Sequence, residues 1–426
     1  MPIRLVLTAL FLSVTLLITG CFGGKETDDV AYVLVIGIDA NDDGNLKITY
    51  QIANPKGGGA ASGGEGGSAT GMGEKGGGSQ SWIINTITAP TPAETRMLLN
   101  SSMSRFPNVG HTSAIIIGES MARNGIGYLL SFFVRNREFR ETTLLIVVAG
   151  TAEDFIRHTK PSMDATITKF YETFTTSLAE SSFSFRTDLH QFYTRLKNQG
   201  GSPFIMYSGT NPKTGEDRPA ESKTPQQKGE AYLPGGIPRT GTESSAEFLG
   251  LALFRGDKMV GVLNSDQTRA VAILQGNFFR GIIGVVDPLD AKESVSLVIR
   301  NGGKPRITAD FSGRAPVFTA SVPIEAEILG ITSGINYEAD SYRELLESQV
   351  SQMLTGQIRS MVKHTQELGS DPVGFGMHLR PKFPNYDALK QADLTTLYQA
   401  ADIQISVTTK IRRTGLIWRT SPAQQN

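Results

Sequence analysis

One cysteine, five histidines and two tryptophans are all that this 426-residue chain has of those types. A single thiol excludes an intramolecular disulfide and a thiolate metal site, so the fold has to be held by packing. An excess of charge of one sign is missing as well, since 41 basic and 41 acidic residues cancel. That leaves no global field to gather nucleic acid. Long apolar runs are scarce: after Leu5–Leu17 no segment approaches the ~20 residues that a helix needs to cross a bilayer. The sequence has no G-x-S-x-G elbow, no H-E-x-x-H run and no strand–glycine-loop–helix arrangement for phosphate. His111, His158, His190, His364 and His378 are scattered without metal-ligand spacing, so neither a metal nor another cofactor is expected.

What is present begins at the N-terminus. Met1–Arg4 carries one positive side chain, Leu5–Leu17 is apolar, and Ile18-Thr19-Gly20-Cys21 follows. This is the layout of an export signal. Thr19-Gly20-Cys21 resembles a bacterial lipobox, in which cleavage between Gly20 and Cys21 leaves a cysteine carrying an S-diacylglycerol and an N-acyl chain. One acyl chain binds a membrane only marginally, whereas burying methylenes of several chains at ~0.8 kcal/mol each anchors stably. The alternative is a plain signal peptide or anchor helix beside an incidental Cys21. Residues 1–20 are therefore expected to be removed, with the rest tethered at Cys21 in water.

Residues 21–206 carry mixed α/β patterning. Ala31–Ile38 and Leu46–Ile52 predict a hairpin around Asn41-Asp42-Asp43-Gly44. A flexible insertion is expected at 57–80, where twelve of the twenty-two residues from Gly57 to Gly78 are glycine and few side chains can offset the entropy of ordering. A strand is predicted at Ser81–Thr88, then a helix opened by Thr91-Pro92 and running to Met103. Strands at Ser113–Ile117 and Leu144–Val148 bracket a helix from Glu119, and helices follow at Ala152–His158 and Thr166–Leu178. Residues 207–246 lose periodicity and are expected to form a linker or loose excursion.

A C-terminal α+β domain is expected at 247–416, followed by a flexible tail at 417–426. A hairpin at Phe248–Leu263 should open it. Val295–Ile299, Phe318–Ile328 and Ile403–Val407 alternate as strands of one antiparallel sheet. Ser341–Glu367 is the clearest helix, and its apolar stripe should cover that sheet. Gly369 suits the left-handed position after the helix, and Asp371-Pro372 with Gly374–Gly376 should form a packed turn or, alternatively, a partner contact. Asp39-Ala40-Asn41-Asp42-Asp43-Gly44 matches the first half of a calcium loop. Tyr50 stands where a bidentate glutamate is needed, so a hairpin turn is the better expectation.

Taken in order, Gly20-Cys21, Val35-Ile36-Gly37-Ile38-Asp39, His111–Gly118, Met121–Gly125, Phe132–Asn136, Gly250–Phe254, Gln366–Gly376 and Ile411–Gly415 resemble the C-subunit lipoproteins of spore germinant receptors, the Ger(x)C family. The resemblance implies α/β domains of unusual fold, with room for two in the N-terminal half. It implies a lipid-anchored, non-enzymatic subunit on the outer face of the spore inner membrane, working beside integral-membrane A and B subunits in a complex that senses nutrients. No catalytic residues come with it. From another class, a substrate-binding lipoprotein of a transporter would share the signal and a two-domain layout.

Overall fold

The computed structural model describes residues 3, 29–54, 81–161, 164, 166–211, 231–239, 244–417 and 419–420. Apart from residue 3, the expected export signal lies outside them, as do Gly20, Cys21 and the glycine-rich insertion. The first part of the chain runs β1 (Val30–Ala40), β2 (Leu46–Ala53), β3 (Trp82–Ala89), α1 (Pro92–Ser102), β4 (Phe106–Asn108), β5 (Ala114–Gly118), α2 (Glu119–Asn124), α3 (Gly127–Arg135) and β6 (Leu144–Val148). It continues through α4 (Ala152–His158), α5 (Ile167–Ser181), α6 (Leu189–Lys197) and β7 (Phe204–Thr210). The remainder runs β8 (Ala246–Arg255), β9 (Lys258–Leu263), α7 (Ser265–Gln275), β10 (Arg280–Val286), β11 (Ser294–Asn301), β12 (Arg306–Asp310) and β13 (Val317–Ile331). The long α8 (Asp340–Leu368) follows, then a 3-10 helix at Phe375–Lys382, α9 (Tyr386–Gln391), α10 (Leu394–Gln399) and β14 (Asp402–Arg413).

Among the described residues the strands form two sheets. The first has the order β3-β2-β1-β5-β6-β7-β8-β9, with β4 against β1. Its centre, β1, β5, β6 and β7, is parallel. Parallel strands are covered on both faces, which is why Val-Leu-Val-Ile in β1 and Ala-Ile-Ile-Ile in β5 have no polar alternation. Successive residues part to opposite sides: Ile36, Ile115, Leu145 and Ile205 join a core with Leu99, Met121, Leu129 and Phe192. Val35, Ile116, Ile146 and Met206 join another core with Phe155, Ile156, Ile167 and Tyr171. The described strands of residues 21–206 thus all belong to this one sheet. The start of α1 matches its cap: Thr91 accepts from the N–H of Glu94 ahead of Pro92. The single helix expected from Glu119 is two, divided at Gly125, whose φ of 116° breaks the run.

The Phe248–Leu263 hairpin departs from expectation. Its periodicity suits the start of the C-terminal sheet, yet β8 pairs antiparallel with β7, and β9 closes that edge. The reason lies in burial: Ala246 to Phe254 are all buried, so this strand has no solvent face. Leu251 and Leu253 enter the core of the second sheet, Ala252 and Phe254 one core of the first, and Ala246 and Phe248 the other. Residues 207–246 begin inside β7 and end inside β8. Glu247 is buried and ties part of that stretch down: its carboxylate accepts from Arg239 Nε at 2.8 Å and the Gly235 N–H at 2.7 Å.

The second sheet is ordered β10-β11-β13-β12 with β14 on the other side of β13. Phe318, Ala320, Val322, Ile324, Ala326 and Ile328 face inward, as their alternation requires. The buried stripe of α8, including Leu346, Val350, Leu354, Ile358 and Met361, covers them. All pairings are antiparallel except β13 with β14, which is parallel. The helix carries the chain back along β13 before β14 begins, and a crossover of that kind dictates the direction. Thr420, in the expected tail, donates to Glu338 Oε1 at 2.6 Å.

Candidate functional site

Gly20 and Cys21, assigned from the sequence to cleavage and lipidation, lie outside the described residues. No helix among the described residues is long and apolar enough to cross a membrane, and no group of three or more His, Cys, Asp or Glu side chains among them could hold a metal.

The partial calcium loop is spent on structure. Asp39 is buried and turns inward, accepting from the N–H groups of Ala152 at 2.7 Å and Glu153 at 3.0 Å at the start of α4. Burial pushes its carboxyl up, against the two backbone donors. Gly118 has to be glycine beside it, because a Cβ there would lie 2.1 Å from Asp39 Oδ1. Asp43 accepts from Asn41 and Asn45 and closes the turn, with Gly44 left-handed at φ 83°. These bonds hold the turn, and the Gly37-Ile38-Asp39 and Gly118 landmarks are two halves of one contact between sheet and helix.

The Gly369–Gly376 segment lies at the joint of the two sheets. Gly369 takes φ 63° and ends α8 as expected. Asp371, 7% exposed, accepts from the N–H groups of Gly374 at 2.7 Å and Gly376 at 2.9 Å. Its own N–H donates to Ser202 Oγ at 2.8 Å, and the Ser202 N–H donates to its carbonyl at 2.7 Å. Pro372 O receives Arg195 Nη1 at 3.3 Å and Gln275 Nε2 at 2.6 Å. Ser370 Oγ donates to Phe254 O at 2.9 Å. Gly200, at φ 103°, backs onto this turn so closely that a Cβ would meet the Gly376 carbonyl carbon at 2.8 Å.

Burial pushes the Asp371 carboxyl up to about 6, although the backbone donors and Arg195 pull it down. A cavity of about 280 Å³ opens alongside, lined by Arg195, Ser202, Arg255, Asp371, Asp393 and Tyr398. The segment forms a packed turn, with the Asp371 carboxylate bound by the backbone of that turn. Sequence reasoning missed Gly200 and Arg195, whose only signal was an unremarkable Gly-Gly before a strand. At the far end of β14, Arg412 Nε stands 3.9 Å from Glu325 Oε1, and both are exposed.

What this arrangement provides is a clasp, with its polar groups committed to one another and to backbone. Comparison with known proteins agrees on what kind of chain it is. Residues 23–209 match the family described as "Spore germination protein N-terminal domain", and residues 249–415 match "Spore germination B3/GerAC like, C-terminal". The chain belongs to the Ger(x)C family of spore germination proteins. The putative spore germination protein YfkR of Bacillus subtilis (strain 168) is 23% identical over 412 residues, covering 96% of each chain. The spore germination protein KC of the same organism is 23% identical over 418 residues, 97% of this chain and 96% of that one. Among solved structures, the crystal structure of the GerBC protein shares the fold, with a TM-score of 0.52 at 18% identity, covering 88% of this chain and 96% of that one. In this Ger(x)C chain the family's C-terminal match starts at 249, inside a strand of the first sheet. The family's two matched segments are therefore tied by β8, not merely joined end to end.

Proposed function

We propose that this chain is a lipid-anchored, non-enzymatic subunit of a nutrient-sensing germinant receptor, held at the outer face of the spore inner membrane beside integral-membrane A and B subunits. A role in spore germination follows from the family. The finer statement rests on Cys21 at the end of an export signal, nine residues before β1 opens at Val30. A tether confines the domain to a plane, raises its effective concentration near membrane partners and so permits association through an interface of modest affinity. Commitment of Asp39, Glu247 and Asp371 to backbone and guanidinium partners supports the non-enzymatic part. A transporter's binding lipoprotein closes two lobes about a hinge, and the sharing of β8 among three cores disfavours that alternative.

Deleting the gene and scoring intact spores on a panel of nutrients should abolish or slow germination for at least one nutrient. Normal responses throughout would reject the receptor role. Cys21→Ala should move the protein from the membrane to the soluble fraction, and unchanged retention would reject the lipid anchor.

A further inference from the structure

The parallel centre of the first sheet puts the N-terminal ends of β1, β5 and β6 on one rim. The start of β4 meets the same rim, Phe106 beside Val30, and there Phe106 is left 38% exposed. A cavity of about 620 Å³ opens at this edge, walled by Tyr32, His111, Arg140, Thr168, Glu172 and Arg186 among others. Tyr32, the third residue of β1, meets the His111 ring edge-on at 5.1 Å. Arg186 is steadied by donating to Thr142 O at 2.8 Å, with Asp188 a distant 3.9 Å away. Arg140 is exposed, and its guanidinium has no hydrogen-bond or ion-pair partner among the described residues. Two guanidiniums, an imidazole and several hydroxyls thus face Glu172 as the one carboxylate of the wall. Guanidinium forks match the oxygens of a phosphate.

The position of this cavity says where that phosphate comes from. Eight residues, Phe22 to Asp29, separate Cys21 from β1, so the nine steps from Cys21 to Val30 reach no more than about 32 Å when fully extended. A chain anchored at Cys21 therefore keeps this rim within that distance of the lipid surface. We propose that the rim cavity takes the phosphate of an anionic lipid headgroup, docking the tethered protein with the N-terminal end of β1 toward the bilayer. The proposal rests on the lipid anchor and adds an orientation to it.

The test uses the full chain, exported and lipidated in a bacterial host and reconstituted in vesicles. Lipid blocks Cys21, so an introduced thiol is the only free one. Ser104→Cys, just before β4, and Thr308→Cys, on the exposed face of β12, each receive a fluorophore, and spin-labelled lipid serves as quencher. In vesicles containing phosphatidylglycerol the Ser104 label should be quenched, and in phosphatidylcholine alone it should not. High salt should relieve the effect, because attraction to anionic lipid fades within a Debye length. Arg140→Ala and Arg186→Ala should each weaken it about fivefold, while Arg306→Ala on the remote sheet and the Thr308 label report no change. An unquenched Ser104 label on protein that still floats with the vesicles overturns the headgroup assignment and leaves the anchor standing. Failure to float strikes the anchor itself. Inorganic phosphate at constant ionic strength should compete for the two guanidiniums and weaken the quenching; quenching that neither phosphate nor the two arginine substitutions reduce would place the contact outside the cavity and overturn the assignment.

Discussion

Gly200 and Gly376 meet backbone to backbone, and the space between them has no room for a methyl group. Gly200→Ala adds a left-handed φ of 103° to that clash, so it should cost about 2–4 kcal/mol of stability. Gly256→Ala is the control: its φ is 61° but nothing lies within 4 Å of the added Cβ, and about 1 kcal/mol is expected. Chemical denaturation midpoints of the two variants check the difference. Asp371 makes a prediction in pH. Its folded carboxyl sits near 6 against an ordinary 3.8, so the folded state binds the proton more tightly than the unfolded one. Its contribution to stability is then fullest below pH 3.8 and is lost as pH rises to about 6, a change of about 3 kcal/mol. Asp371→Asn should accordingly be most destabilising, relative to the natural chain, near pH 4 and less so at pH 7. A penalty independent of pH would show that the group does not titrate there.

Among the elements, α8 shows most directly how pattern becomes energy. Its 29 residues place Leu346, Val350, Leu354 and Ile358 on the sheet, while Leu345, one residue off that stripe, is 44% exposed. Leu354→Ala should cost about 2–5 kcal/mol, since Leu354 is fully buried in the core of the second sheet and its loss leaves a cavity there. Leu345→Ala should cost less than about 1 kcal/mol by the same denaturation assay. The helix end is as local as its stripe: Gly369 and the turn after it were legible because a left-handed C-cap needs glycine whatever lies nearby. Clasping by Ser202 and Arg195 was not legible, because those residues approach from 169 and 177 positions away.

For the whole molecule, the decisive element is β8. Each of the three cores takes side chains from it, so neither sheet can open without exposing part of the other. Thermal or denaturant unfolding should therefore be one transition, with coincident curves from fluorescence and circular dichroism. Two separated transitions would mean that the sheets hold independently despite the shared strand.

Sequence by itself determined the elements whose signals are local: the strands of β1, β2, β5, β6 and β13, the proline-started and threonine-capped α1, the stripe of α8 and the glycine that ends it. The proposal for Cys21 likewise rests on a short local signal and on no fold. Only the tertiary structure decided which sheet receives the 246–263 hairpin, that β14 runs parallel to β13, and that Asp39 caps a helix 113 residues away. The reason is physical. Alternation along a strand tells which side chains are buried, but strand pairing and burial of a carboxylate are settled by groups distant in the chain, whose proximity no local pattern encodes.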